Sequence, residues 1–163
     1  MIAAAAVRRA GLALAAAGML IASGIARSAP DIGYDSHANA QELVAAAVER
    51  AAAEHKLVLV VAGGDWCIWC HYLHAFFDAH ANLDAALHDT FVVAKVYYGD
   101  ENRNEALFAT LPKAAGYPHF WVLSSDGRLL ESQQTVLFED GKKSYDEAKL
   151  GAFVASWNKR RDG

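Results

Sequence analysis

The stretch KLVLVVAGGDWCIWC, from Lys56 to Cys70, constrains this chain more than any other. Lys56 to Ala62 is a short, nearly unbroken apolar run. Such a run reads as a strand buried on both faces, which demands a layer of structure against each side of the sheet that holds it. Gly63 and Gly64 end the strand. Beyond them, Leu73, Phe76, Phe77 and His80 fall along one side of a helix that starts near the first cysteine, with Asp65 as its expected cap. The two cysteines of the chain, Cys67 and Cys70, therefore sit where a buried strand turns into a helix.

The remaining sequence supplies the layers. His37 to Glu54 is alanine-rich, with Leu43, Val44, Ala47, Val48 and Ala51 at helical spacing, and predicts a helix with one buried face. Ala81 to Asp89 predicts a shorter helical turn, and FVVAKVYY (Phe91 to Tyr98) a second buried strand. A polar connection follows, with a helix expected near Asn104 to Leu111. His119 to Leu123 and Arg128 to Val136 flank the turn SSDG and form a hairpin. FEDGKKS is a further turn, and Tyr145 to Arg160 closes the chain as an amphipathic helix with Leu150, Phe153, Val154 and Trp157 on one face. Trp121 and Trp157 are assigned to the core. The order helix, strand, helix, strand, helix, hairpin, helix calls for an α/β domain with helices on both faces of a central mixed sheet.

With 163 residues, 54% of them hydrophobic and 21% charged, the chain suits one globular domain with a substantial core. A net charge of -4 offers no basic patch able to track a phosphate backbone, so nucleic acid is excluded as a partner. Arg8 and Arg9 precede an apolar run from Ala10 to Ala26, the pattern of a secretory signal, with cleavage expected after Ala26. An uncleaved membrane anchor is the alternative. Either places the domain in the periplasm or another exported location, by the Sec route in preference to twin-arginine export. Residues 27–36 read as an exposed linker and 37–163 as the domain proper. In an oxidising compartment a cysteine pair is free to cycle as a disulfide, and two cysteines are too few for a disulfide framework.

A thiol at a helix amino terminus meets the positive end of the helix dipole and unpaired backbone N–H groups, and both favour thiolate. Cys67 is thus the expected nucleophile. Cys70, one turn further in, is placed to resolve a mixed disulfide. His71, next to the second cysteine, is a candidate for tuning the thiols through its charge.

Taken together, the strand before the motif, Trp66 with CIWC, the VAKV of the next strand, GYPHF with Pro118, and the SSDG hairpin resemble the thioredoxin fold. More specifically, they resemble exported thioredoxin-like proteins with a WCxxC motif, and the resemblance covers nearly everything after about Asp35. The resemblance implies a three-layer α/β fold and thiol-disulfide oxidoreductase activity on protein thiols and disulfides. It implies no bound cofactor, since the electrons reside on the two sulfurs, and a monomer. It further implies that Pro118 is cis and faces the dithiol, so that Trp66, Tyr117 and Pro118 bind substrate; a trans proline leading into a strand is the ordinary alternative. A reductase is favoured over an oxidant, and in an oxidising compartment it would draw electrons from a membrane thiol-electron transporter.

The chain also departs from the family pattern. Many thioredoxins carry a buried acid six positions before the first cysteine, and here that position is Val61. Lys95 matches the lysine that partners the missing acid, which leaves Lys95 and Asp65 as candidates for tuning the thiols. Ile68-Trp69 between the cysteines differs from the dipeptides of thioredoxins and of strong periplasmic oxidants, so neither potential transfers.

Three other readings of the same residues stand beside this one. CIWCH matches the pattern for c-type haem attachment. Cys67, Cys70, His71 and His74 offer four ligands within two helical turns, the basis of a metal-binding or carrier alternative. A purely structural disulfide would close a very short loop, where the entropic gain is smallest.

Overall fold

The computed structural model describes residues 31–161, so the segment expected to be a signal (1–26) lies outside the described residues. The chain runs through α1 (Ala40–Glu54), β1 (Leu57–Gly63), α2 (Ile68–Ala79), α3 (Ala81–Thr90), β2 (Phe91–Tyr97), α4 (Glu105–Phe108), β3 (His119–Leu123), β4 (Leu129–Gln134), a 3-10 turn (Thr135–Phe138) and α5 (Glu147–Arg161). The four strands form one sheet in the order β2-β1-β3-β4. β1 pairs parallel with β2 and antiparallel with β3, and β3 pairs antiparallel with β4, so the sheet is mixed. Among the described residues no helix is long and apolar enough to cross a membrane.

Every residue of β1 is buried, as its unbroken apolar run demands. Alternate residues serve opposite layers. Leu57, Leu59 and Val61 face a core built with α2, α3 and α5, whereas Val58, Val60 and Ala62 face a core built with α1. The first layer is aromatic, holding Phe76, Phe91, Phe120, Phe153 and Trp157 together with both cysteines. The second is built from Ala40, Val44, Ala47 and Ala51 against the valines of β1 and β2, with Trp121 filling the space that the small side chains leave.

Local chemistry sets the boundaries. Asn39 caps α1, its side-chain oxygen accepting from the Gln41 amide at 3.0 Å, so the helix starts three residues later than the apolar periodicity suggested. The helix expected near Asn104 to Leu111 is a single turn. Leu111 precedes Pro112, and that disfavours helical backbone, while the Thr110 hydroxyl donates to the Leu107 carbonyl at 2.7 Å. Asn104, in the left-handed region at φ 44°, ties this connection down: its side chain accepts from the Ala40 amide at 3.0 Å and donates to the Tyr97 carbonyl at 2.9 Å. β4 ends at Gln134 instead of Val136, because the chain coils into the 3-10 turn.

The described part of the expected linker is a correction. Ile32 and Tyr34 are buried, members of the aromatic core, and the backbone between them bends at Gly33 with φ 84°. Residues 31–36 read as turn formers because Asp31, Gly33, Asp35 and Ser36 alternate with the two apolar side chains that dock.

Candidate active site

The cysteines occupy the carboxyl end of β1. The Cys67 amide donates to the Gly64 carbonyl at 3.0 Å, closing a tight turn through Asp65 and Trp66 before the helix begins. Cys67 itself is the N-cap of α2, in extended backbone, and its sulfur accepts from the Cys70 amide at 3.2 Å. This corrects the assignment of Asp65 as the cap. The turn delays the helix by two residues, so a sulfur takes the place that Asp, Ser or Thr ordinarily fills. Cys67 and Cys70 are joined as a disulfide with Cα atoms 5.2 Å apart. Both are buried at the head of the helix.

Gly63 makes this packing feasible. A Cβ on Gly63 would collide with the Cys70 sulfur and lie 3.0 Å from the Tyr34 hydroxyl, so only glycine lets both approach the end of the strand. The sequence marked Gly63 as a strand end; its second duty, admitting a sulfur, left no separate signal.

The Tyr117–Pro118 bond is cis, as the resemblance implied. His119 pairs with Ala62, and continuing that register sets Pro118 level with Gly63, against which the Cys70 sulfur packs. The Pro118 carbonyl accepts from the buried Thr135 hydroxyl at 2.5 Å, which braces the bend against the 3-10 turn.

Trp66 is 53% exposed yet fixed in place. Its indole N–H donates to the Tyr98 carbonyl at 2.8 Å, and its ring meets Tyr117 edge-on at 5.7 Å. Tyr117 stacks on Tyr98 at 5.0 Å, and burial pushes its hydroxyl pKa up to about 12. Trp66, Tyr117 and Pro118 are thus gathered at one end of the sheet beside the dithiol. Ile68, Val136 and Leu137 add exposed apolar surface, Ile68 directly after the first cysteine and the other two in the turn that braces Pro118. Sequence reasoning missed Val136 and Leu137 by reading Val136 as strand.

The tuning candidates separate. The His71 ring nitrogen Nε2 lies 2.8 Å from the Asp65 carbonyl oxygen, which ties the helix to the turn before it. Lys95 stands opposite Val61 in register. With no acid there to meet, its ammonium donates to the Ile32 carbonyl at 2.6 Å and lies 5.9 Å from the Tyr34 ring centroid, and burial holds its pKa below the ordinary lysine value. The lysine thus anchors the amino-terminal segment.

His74 pairs with Asp78 at 3.4 Å on the same helix. Among the described residues no group of three or more His, Cys, Asp or Glu side chains could hold a metal ion, so Cys67, Cys70, His71 and His74 do not converge as a ligand set. What the arrangement can do chemically lies in the sulfurs. The Cys70 amide and the amino end of α2, both directed at the Cys67 sulfur here, are groups that favour thiolate over thiol.

Comparison with known proteins agrees with this geometry. The chain matches no curated protein. Among solved structures it is similar to a disulphide isomerase from Xylella fastidiosa Temecula1, with 28% identity over 78% of this chain and 98% of that one and a TM-score of 0.67. It is also similar to a thioredoxin-fold protein from Helicobacter pylori (18% identity, 66% and 85% covered, TM-score 0.42). A redox protein from Chlamydomonas reinhardtii gives 20% identity, 84% and 39% covered, and a TM-score of 0.45. A family profile described as Thioredoxin-like matches residues 39–125, more than half of the sequence. On that match, with the mixed sheet and the Cys67–Cys70 pair, the chain belongs to the thioredoxin-like family.

Proposed function

We propose that this protein is an exported thiol-disulfide oxidoreductase in which Cys67 attacks and Cys70 resolves. One observation carries the reading: the Cys67 sulfur caps α2 and accepts the Cys70 amide, beside the cis Tyr117–Pro118 bond and an exposed tryptophan. The 28% identity to the Xylella fastidiosa disulphide isomerase supports protein thiols and disulfides as its substrates.

In the reducing direction, the Cys67 thiolate attacks one sulfur of a substrate disulfide. A Cys67–substrate disulfide forms and the other substrate sulfur leaves as thiolate. Cys70, deprotonated, then attacks the Cys67 sulfur, forming the Cys67–Cys70 disulfide and releasing the second substrate thiolate. Two electrons pass from the protein to the substrate, and the same steps run backwards to oxidise a dithiol. No bound cofactor takes part. Trp66, Ile68 and Tyr117 form the apolar rim on which the substrate segment lies, and the backbone beside Pro118 pairs with it. Reduction is the favoured direction and needs an electron donor, for which a membrane thiol-electron transporter is the fitting class. A midpoint near about -270 mV would place the protein with reductases and one near about -120 mV with oxidants.

Removing the resolving sulfur tests the mechanism. Cys70→Ser is expected to accumulate a covalent adduct with a disulfide-bonded protein, released by added thiol, whereas Cys67→Ser, which leaves Cys70 as the single thiol, forms little. An adduct that accumulates in Cys67→Ser and not in Cys70→Ser would overturn the assignment. Export is tested separately by the amino-terminal mass of the protein from its native cell: a start at Arg27 supports cleavage after Ala26, and an intact Met1 in a soluble fraction contradicts export.

A further inference from the structure

We propose that Tyr34 is a positioning residue for the resolving cysteine, its hydroxyl donating a hydrogen bond to the Cys70 sulfur whenever that sulfur is thiolate. The inference rests on the exchange chemistry proposed above and adds to it a group that serves only its second step.

The geometry starts at Gly63. The Cys70 sulfur and the Tyr34 hydroxyl both press on the space that a Cβ of Gly63 would fill, so the two are neighbours at the end of β1. Both line a cavity of about 270 Å³ behind the dithiol, which Val61 and Lys95 also line. A hydrogen bond to a charged acceptor contributes more than one to a neutral acceptor. On opening of the disulfide, the Cys70 sulfur becomes such an acceptor.

The hydroxyl is suited to donate and unsuited to act as a base. Burial raises its pKa well above the ordinary tyrosine value, and nearby Tyr145 and Asp65 push in the same direction, so it stays protonated. Tyr34 is therefore not the acceptor of the Cys70 proton. Lys95 fixes the segment that carries the ring by holding the Ile32 carbonyl, and Gly33 between them supplies the bend. Val61 lines the same cavity and brings no titratable group to it.

Other charges face the same cavity: Lys95 from β2, His74 and Asp78 from α2, and Asp84 and His88 from α3. All of them persist in Tyr34→Phe, which keeps the ring and removes the donor alone. In the full-length chain carrying Cys67→Ser, Tyr34→Phe is expected to raise the Cys70 thiol pKa by about one unit, a tenfold loss of thiolate at a given pH, read from the pH dependence of its alkylation rate. With both cysteines present, it is expected to slow release of the second substrate thiol roughly tenfold while leaving the rate of adduct formation by Cys67 unchanged. A merely structural loss would slow both steps.

Should Tyr34→Phe fail to fold, replacement of Tyr34 by 3-fluorotyrosine keeps the donor and strengthens it, and the Cys70 pKa should fall. An unchanged Cys70 pKa and release rate in a variant that still forms the adduct would overturn the role of Tyr34 and leave the exchange reading intact. Absence of any adduct in Cys70→Ser would end both.

Discussion

The two layers of this sheet are made of different material. Against α1 the strands present valine and alanine to a helix of alanines, with Trp121 as the one large aromatic buried there. Against α2, α3 and α5 they present a layer rich in aromatic rings, which holds the disulfide and borders a cavity beside it. Small side chains let a helix and a sheet approach closely and leave little to titrate. The cavity on the aromatic side brings a sulfur, a tyrosine hydroxyl and a lysine ammonium to one place. One layer is scaffold, then, and the other carries the chemistry.

Four substitutions break or sharpen this contrast. The largest effect belongs to the scaffold. Trp121→Ala empties a fully buried site and should cost about 3–5 kcal/mol of stability in a denaturant titration, with the dithiol–disulfide midpoint of the folded protein unchanged. A shifted midpoint would show that the layers are coupled.

Gly63→Ala strikes the other layer. The new methyl group collides with the Cys70 sulfur, so a loss of about 1–3 kcal/mol is expected. Here the dithiol–disulfide equilibrium should move as well, because the sulfur itself is displaced. An alanine variant with parental stability and midpoint would contradict the packing at the end of β1.

A smaller effect follows from His119, which leans on Trp121 at 4.4 Å on the scaffold side and whose pKa burial holds below 6.5. Its folded form resists protonation more than the unfolded chain does. Stability contributed by the neutral ring is therefore present above about pH 6.5 and lost as pH falls below it, with a slope of at most about 1.4 kcal/mol per pH unit. His119→Asn should flatten that slope without altering the pH dependence of disulfide exchange.

The smallest change in stability is expected from Trp66→Ala. The side chain is half exposed and gives up one hydrogen bond, for a cost of about 1 kcal/mol. The same change should slow exchange with a protein disulfide several-fold and leave exchange with a small disulfide nearly unaltered. Equal slowing of both would argue that Trp66 shapes the thiols and not the docking of a partner.

Much of this division was legible in the sequence. The apolar runs at 56–62 and 91–98 and the cysteines after Gly63-Gly64 located the sheet centre and the reactive helix start to within a residue, because burial on both faces leaves an unmistakable pattern. The cis Tyr117–Pro118 bond followed from the resemblance alone. Other features were hidden for identifiable reasons. Asp65 looks like a cap, yet the turn closed by Cys67 and Gly64 hands that position to a sulfur. Lys95 was marked as a tuning group, and its contact with the Ile32 carbonyl depends on a segment 63 residues away that looks like linker. Tyr34 was lost in that same segment, where apolar residues two apart are too few to register as a strand or a helix.

The most direct test of the account is the equilibrium between dithiol and disulfide of Cys67 and Cys70 across defined thiol redox buffers, with free thiols trapped by alkylation and counted by mass. The account predicts one reversible two-electron transition in which both thiols appear together, within the range of known exchange proteins. A pair that stayed oxidised or reduced in every buffer would contradict it and would return the disulfide to a structural role.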